Sequence, residues 1–560
     1  MTALTGVGVS PGVGFGPGYV LAYETPVPAP GARHGGDAEA ERDRATRALE
    51  QVAADLEERG VRAGGEAQDI LGAQALMARD PGLAAGVTGL IDAGKSAARA
   101  VYEAFGGYRE MLVDAGGYLG ERAADLDDVR DRAIAVIEGL PVPGLPSRAA
   151  QPYVLIARDL APADTALLSR DVVAAFVTEQ GGPTSHTAIL ARAMGVPAVV
   201  ACPGATSIAP GTPVLVDGVS GLVRPAPSEE EVATARNAAS ARDAVLAAAT
   251  GPGMTADGHA VPLLANIGGP RDVDGALEHG AEGVGLYRTE FLFLDRTTAP
   301  SGEEQEAAYL EVLEAFPGGR VVVRTLDAGA DKPLAFLPPQ GEEPNPALGQ
   351  RGLRLLRAHP EILNTQLAAL AGAAARSSAK LQVMAPMVAT AEEAAWYVAT
   401  CKEAGLPSAG VMIEIPAAAL RAADLAEEAD FFSLGTNDLA QYTFAADRQM
   451  GALTALQDAW QPALLDLVAL AVAGAVEHGK PCGVCGEAAG DPVLACVLAG
   501  LGVTSLSMAP AALPAVRAAL SRHTREQCRL AAQAAMAGTS PQEARAAARS
   551  HLPGLAGLAL

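Results

Sequence analysis

The 560-residue sequence predicts a multidomain α/β protein: a small α/β domain with an inserted helical bundle, followed by a C-terminal (β/α)8 barrel. Three observations carry this. The first twenty residues alternate glycine with apolar residues, but from about Asp37 to Gly139 helical periodicity takes over. Strand-like runs return at Tyr153. Beyond a Gly/Pro break at Thr250–Gly253, eight strand-like runs alternate with helical patterns across about three hundred residues.

In chain order, GVGVSPGVGFGPGYVLAY predicts a strand with turns. Helices are expected over 38–59, 66–78, 97–115 and 121–138, and four helices of that length make a bundle or a pair of hairpins. The tract LPVPGLP, 140–146, closes the block as a linker. YVLIA, AAFVTE, AVVAC and TPVLVDG then read as strands, with a helix around AILARAM, and a charged helix over 229–247 follows. The eight barrel strands are expected at 261–266, 283–287, 320–325, 380–386, 410–414, 431–435, 481–485 and 503–508. The same alternation also suits a doubly wound open sheet. The boundaries that result are 1–24 with 147–226 for the small domain, 25–146 for the helical insert, 227–253 for a linker helix and 254–560 for the barrel.

Composition narrows the function. The apolar fraction of 49% against 19% charged residues describes folded domains rather than a disordered chain. A net charge of −24 disfavours nucleic acid and anionic membrane, since neither offers a counter-charge. The opening MTALTGVGVSPG lacks the charged and apolar regions of a secretory signal. The uncharged run 492–516 is cut by glycines and prolines, so no membrane insertion is expected. Six cysteines in so long a chain predict a reducing, cytoplasmic setting.

Barrel active sites sit at the C-terminal strand ends. Arg288 and Glu290, Arg324 and Asp327, Glu414, Asn437 and Asp438, and Cys485 all fall there, with Arg448 further on. Guanidinium forks suit phosphate and carboxylate oxygens. Glu414 and Asp438 are hard oxygen ligands suited to Mg²⁺ completed by substrate and water. The bland alternative is a salt-bridge network at a barrel rim. In the small domain, GGPTSHTAILAR brings His186 to a helix N-terminus, which favours an anion and a neutral imidazole. Cys482 and Cys485 form a CxxC without a second ligand pair, so Cys485 reads better as an acid–base group than as part of a zinc or redox site.

These residues, with ERAAD at 121–125, VLIARDLAPADT at 154–165, GVGLYRTEFLFLDR, RTLDAGADK, NPALGQRGLR, MIEIP, FSLGTNDLAQYTFAADR and CGEAAGD, closely resemble Enzyme I of the bacterial phosphoenolpyruvate-dependent sugar phosphotransferase system over essentially the whole chain. The resemblance implies a swivelling phosphohistidine domain that carries phosphate from phosphoenolpyruvate on His186 to the histidine of the carrier HPr. Arg288, Arg324, Asn437, Asp438 and Arg448 would then bind phosphoenolpyruvate, with Glu414 and Asp438 on Mg²⁺. Cys485 would protonate the enolate, and Thr165 and Arg351 would give support. HPr would dock on the inserted helices, and a homodimer would form through the barrel. Pro183 stands where arginine is usual, and Gln461-Pro462 where His-Pro is common. Pyruvate phosphate dikinase and phosphoenolpyruvate synthase share the histidine and the barrel. They require an ATP-binding domain that the mostly helical residues before His186 leave no room for. A non-catalytic phosphoenolpyruvate sensor would not need His186 and Cys485.

Overall fold

In the computed structural model, residues 3–558 are described apart from 22–26, 64, 116–122, 141–150, 161–167, 169–171, 183–185, 295, 330–333, 338–342, 407 and 449. The chain divides into two compact units, Met1–Ala239 and Ser240–Leu560.

The first unit holds an eight-stranded sheet and a helical block. Strands β1 (Leu4–Thr5), β2 (Val7–Ser10), β3 (Val13–Leu21), β4 (Tyr153–Ala157), β5 (Val173–Thr178), β6 (Ala198–Val200), β7 (Pro213–Asp217) and β8 (Leu222–Pro225) pair in the order β1-β8-β7-β3-β4-β5-β6-β2. The β3–β4–β5–β6 ladder is parallel, and β7 and β8 are antiparallel additions. Period-two alternation sends Leu155 and Phe176 into one apolar layer and Val154, Ile156 and Val177 into another, so the sheet is buried on both faces. The start of β3 passes so close to β5 that a Cβ at Gly14 would stand 2.2 Å from the Ala174 carbonyl oxygen.

The helical block lies between β3 and β4. Five helices are described there, Ala38–Ala63, Gly65–Ala78, Pro81–Asp92, Ala97–Ala115 and Ala123–Glu138, around a core that includes Leu56, Ile91, Phe105 and Ile134. Four match the periodic stretches. The helix Pro81–Asp92 was not anticipated. Its glycines at 82, 86 and 89 blur the pattern, yet Asp80 caps it by accepting from the Leu83 N–H at 2.8 Å, and Pro81 opens it.

The second unit is a closed parallel barrel of eight strands: β9 (Leu263–Ile267), β10 (Gly283–Arg288), β11 (Arg320–Arg324), β12 (Lys380–Ala385), β13 (Ala409–Ile413), β14 (Phe432–Leu434), β15 (Cys482–Val484) and β16 (Ser505–Met508). Closure of β16 on β9 excludes the open-sheet alternative. Each expected strand is present within two residues of its predicted ends, and the run 492–516 resolves into a helix, β16 and the start of a second helix. Helices pack outside, and Leu286, Val322, Met384, Met412, Phe431 and Cys485 fill the barrel interior. Buried Arg517 ties the wall together. Its guanidinium donates to the carbonyls of Ala249 (3.3 Å), His279 (3.3 Å) and Gly280 (2.6 Å).

Replacing Arg517 by methionine keeps the apolar stem but leaves three carbonyls short of donors. A loss of about 2–4 kcal/mol is expected, read as a lower urea midpoint with unchanged slope.

Candidate active site in the barrel mouth

Parallel strands end side by side, so the polar residues at their C-terminal ends converge. They line a cavity of about 250 Å³ that includes Arg288, Glu290, Arg324, Glu414, Asn437, Asp438, Arg448, Cys485 and Glu487. Every barrel residue expected in the site from sequence, except Asp327 and Arg351, lines it. Arg351 lies behind the wall, fully buried, and holds the site's ion pairs.

The charges are paired. Arg324 donates to Glu290 Oε1 (3.0 Å) and lies 3.3 Å from Asp327 Oδ2. Arg351 donates to both Asp327 oxygens (3.2 and 3.0 Å) and to the Tyr442 hydroxyl (3.3 Å), which itself donates to the Ala347 carbonyl (2.6 Å). The Asp327 N–H donates back to Glu290 Oε1 at 3.1 Å. Glu290, Arg324, Asp327 and Arg351 are each at most 6% exposed. Isolated charges so buried would cost several kcal/mol each, so their persistence depends on this mutual pairing. Burial alone would lower the Arg324 pKa. The carboxylates of Glu290, Asp327, Glu414 and Asp438 outweigh it and raise that pKa instead. Arg288, beside Arg324, is lowered by burial first and by that neighbour second.

The carboxylates of Glu414 and Asp438 face less cationic surroundings. Glu414 Oε1 accepts from the Met387 N–H at 2.7 Å. Met387 holds that donor in the left-handed region (φ 58°), a conformation that costs a non-glycine residue about 1 kcal/mol or more. Burial, then repulsion from Asp438 and Asp327, lifts the Glu414 pKa well above the carboxylate range, against Arg324 and the Met387 amide. Asp438 Oδ1 is buried without a hydrogen-bond partner, and its nearest cations, Arg448 and Arg351, stand 3.9 and 4.0 Å away. A carboxyl pressed toward protonation next to an unsatisfied carboxylate oxygen is what a divalent cation would relieve. Two protein ligands, with no third histidine, cysteine or acid completing a cluster among the described residues, suit Mg²⁺, which keeps substrate and water oxygens.

Asn437 Oδ1 accepts from the Glu487 N–H (3.0 Å), leaving its amide nitrogen to turn toward the cavity. Cys485 follows β15, 2% exposed, with its thiol 3.6 Å from the Leu434 carbonyl oxygen. Burial pushes its pKa to about 11, with Ser433 and Arg324 opposing, so it remains a thiol. All six cysteines are free and buried, so the CxxC is not a disulfide. The neighbouring Gly486 is obligatory, because a Cβ there would stand 1.9 Å from Thr436 Oγ1.

His186 is the first residue of the helix His186–Met194 in the first unit. Thr165, Pro183, Thr184 and Ser185 lie outside the described residues, as does most of the linker 140–146. The roles of Tyr442 and Met387 were missed from sequence, since neither a phenol nor a thioether signals anion chemistry.

Raising a carboxyl's folded pKa removes stability as pH climbs from its ordinary value, 4.5, through the raised one. Metal-free Glu414→Gln is therefore expected to melt above the wild type near pH ~9, with the gap closing toward pH ~5; calorimetry at both pH values checks it.

Three family models match in order: "PEP-utilising enzyme, N-terminal" over 5–122, "PEP-utilising enzyme, mobile domain" over 149–221 and "PEP-utilising enzyme, PEP-binding domain" over 243–525. A phosphoenolpyruvate-protein phosphotransferase from Streptomyces coelicolor is 61% identical over 557 residues, 99% of this chain and 100% of the relative. One of the same name from Haloferax volcanii is 43% identical over 82% of this chain and 83% of its own length, and one from Bacillus subtilis is 39% identical over 94% and 95%. The chain belongs to the PEP-utilising enzymes, in the family of the phosphoenolpyruvate-protein phosphotransferases.

Proposed function

We propose that the protein phosphorylates itself on His186 from phosphoenolpyruvate and passes the phosphoryl group to the histidine of HPr, in the cytoplasm, to drive sugar uptake. The observation that carries this is the barrel mouth: three guanidinium groups, Arg288, Arg324 and Arg448, and the carboxyls of Glu290, Glu414 and Asp438 line one cavity that also contains a protonated thiol, backed by the buried Arg351–Asp327 pair. Phosphoenolpyruvate presents a phosphate and a carboxylate to such forks and, once the phosphoryl group has left, an enolate carbon to such a thiol.

Arg288, Arg324 and Arg448 take the phosphate and carboxylate oxygens, and the Asn437 amide adds a donor. Glu414 and Asp438 would hold Mg²⁺, which when bound offsets charge on the transferring oxygens. Arg324 is already fixed by Glu290 and Asp327, so its charge needs little reorganisation during transfer. A neutral ring nitrogen of His186 attacks phosphorus as the bond to the enol oxygen breaks. The electron pair left on the enolate then takes the Cys485 S–H proton at C3, giving pyruvate and a thiolate that water reprotonates. Burial that keeps the thiol protonated supports this role.

Thr165 is read as support for the histidine. The domains are read as a phosphohistidine domain (1–24 and 147–226), an HPr-docking helical block (25–146), a linker helix (227–253) and a barrel (254–560). Exposed Leu76 and Met111 on the helical block support a docking role. Leu420, Leu470 and Val476, exposed on barrel helices that pack together, support a homodimer through the barrel.

With labelled phosphoenolpyruvate and Mg²⁺, the chain is expected to acquire base-stable, acid-labile phosphate and to deliver it to HPr. His186→Ala is expected to lose all labelling while binding phosphoenolpyruvate within about twofold of wild type. A folded His186→Ala protein that still takes up label would overturn the assignment. Separately, saturating Mg²⁺ at about 100-fold over its Kd is expected to stabilise the wild type by about 2.7 kcal/mol. That gain should vanish in Glu414→Gln/Asp438→Asn, as thermal melts would show.

A further inference from the structure

The short strand β15 pairs with β16 only at Gly483↔Ser505 and Val484↔Leu506. The ladder stops one residue before Cys485. At that point a side chain supplies the missing rung. Asn266, on β9, reaches past β16 and donates from Nδ2 to the Cys485 carbonyl oxygen at 2.9 Å. Ser507, on β16, donates from Oγ to Asn266 Oδ1 at 2.6 Å. A carbonyl only accepts, so the amide nitrogen must face Cys485 and the amide oxygen must face the hydroxyl; the partners fix the carboxamide orientation. Space for the hydroxyl comes from Gly285 on β10, where a Cβ would stand 2.4 Å from Ser507 Oγ. On its other side the Cys485 N–H donates to the Leu434 carbonyl at 3.0 Å. The cysteine is thus held from β14 and from β9 together, with its thiol on the cavity.

We propose that Asn266, oriented by Ser507, is a positioning residue for proton delivery: it fixes the Cys485 peptide, and through it the face of the enolate to which the thiol gives its proton. This rests on Cys485 as the proton donor of the proposed function. Misplacing a reacting group by about 1 Å costs about 100-fold. A tie that only stabilised the fold would change melting temperature and leave product stereochemistry alone.

The test uses the full-length protein with Mg²⁺, HPr and phosphoenolpyruvate stereospecifically deuterated at C3, in tritiated water, and reads the chirality of the pyruvate methyl group. Wild type is expected to protonate one face. Asn266→Leu, which removes both hydrogen bonds at similar volume, is expected to give near-racemic methyl groups. Its kcat should fall about 10- to 100-fold, with KM for phosphoenolpyruvate within about twofold. Ser507→Ala should shift both in the same direction by less, and decides the matter alone if Asn266→Leu does not fold. Retention of wild-type kcat and stereochemistry in a folded variant overturns the positioning role. Cys485→Ala separates the two readings. If it loses facial selectivity while Asn266→Leu keeps it, only the positioning role falls. If Cys485→Ala itself stays stereospecific, the donor assignment falls and the positioning role with it.

Discussion

Asp327 sits between Arg324 and Arg351 in the wall of the barrel mouth, and the site depends on that contact. Its side chain is about as buried as any in the barrel, with guanidinium nitrogens at 3.0 to 3.3 Å on both sides. Breaking a buried pair from one end costs about 3–5 kcal/mol, because the charge left behind is stranded. Arg324 would lose one of its two carboxylate partners, and Arg351 its bidentate one. Arg351 in turn borders Asp438 and holds Tyr442, whose hydroxyl also contacts Met387, the residue that supplies an amide to Glu414. The guanidinium face and the two acidic groups are therefore mechanically one object. Gly329 is part of the same constraint, since a Cβ there would stand 2.4 Å from the Arg351 Cβ.

The barrel makes such an arrangement affordable. Parallel strands release their last residues into a common mouth, where a side chain is anchored by strand geometry but no longer has to fit the apolar interior. Below the mouth, Leu286, Val322, Met384, Met412 and Phe431 fill the lumen. That apolar layer lowers the local dielectric. Low dielectric strengthens each ion pair and equally penalises any charge without a partner. The strain at Met387 is intelligible in the same terms: its left-handed backbone turns an amide toward a carboxyl that would otherwise face more negative than positive neighbours.

The barrel strands and the charged strand ends could be read from sequence because both depend on local order: a run of apolar residues followed at once by a polar one. Arg288, Arg324 and Glu414 announce themselves in this way. What stayed hidden depends on distance along the chain. Asp327 meets Arg351 across 24 residues by the folding back of one loop, and Asn266 meets Ser507 across 241, a pairing that only barrel closure creates. The helix Pro81–Asp92 was hidden for the opposite reason, since its glycines erase periodicity although Asp80 and Pro81 announce its start. β8, four residues long and directly after a tight turn at Asp217–Gly221, was too short to register as a strand.

One environment sets two protonation states in opposite service. Burial raises both the Cys485 thiol and the Glu414 carboxyl. For the thiol in its proposed role this is useful without further help, since a proton donor must keep its proton until a carbanion arrives. For the carboxyl it is a liability, because a protonated acid binds no cation. The difference lies in what each can recruit. The thiol lies in the apolar plug with the Leu434 carbonyl beside it, and burial outweighs the pull of Ser433 and Arg324 on its proton. Glu414 faces Asp438 across a cavity able to admit a divalent ion, whose charge would reverse the penalty. In the proposed function, proton delivery and phosphate handling would therefore share a mouth of about 250 Å³ because the ligand's own charge, rather than any change in the protein, separates the two groups' behaviour.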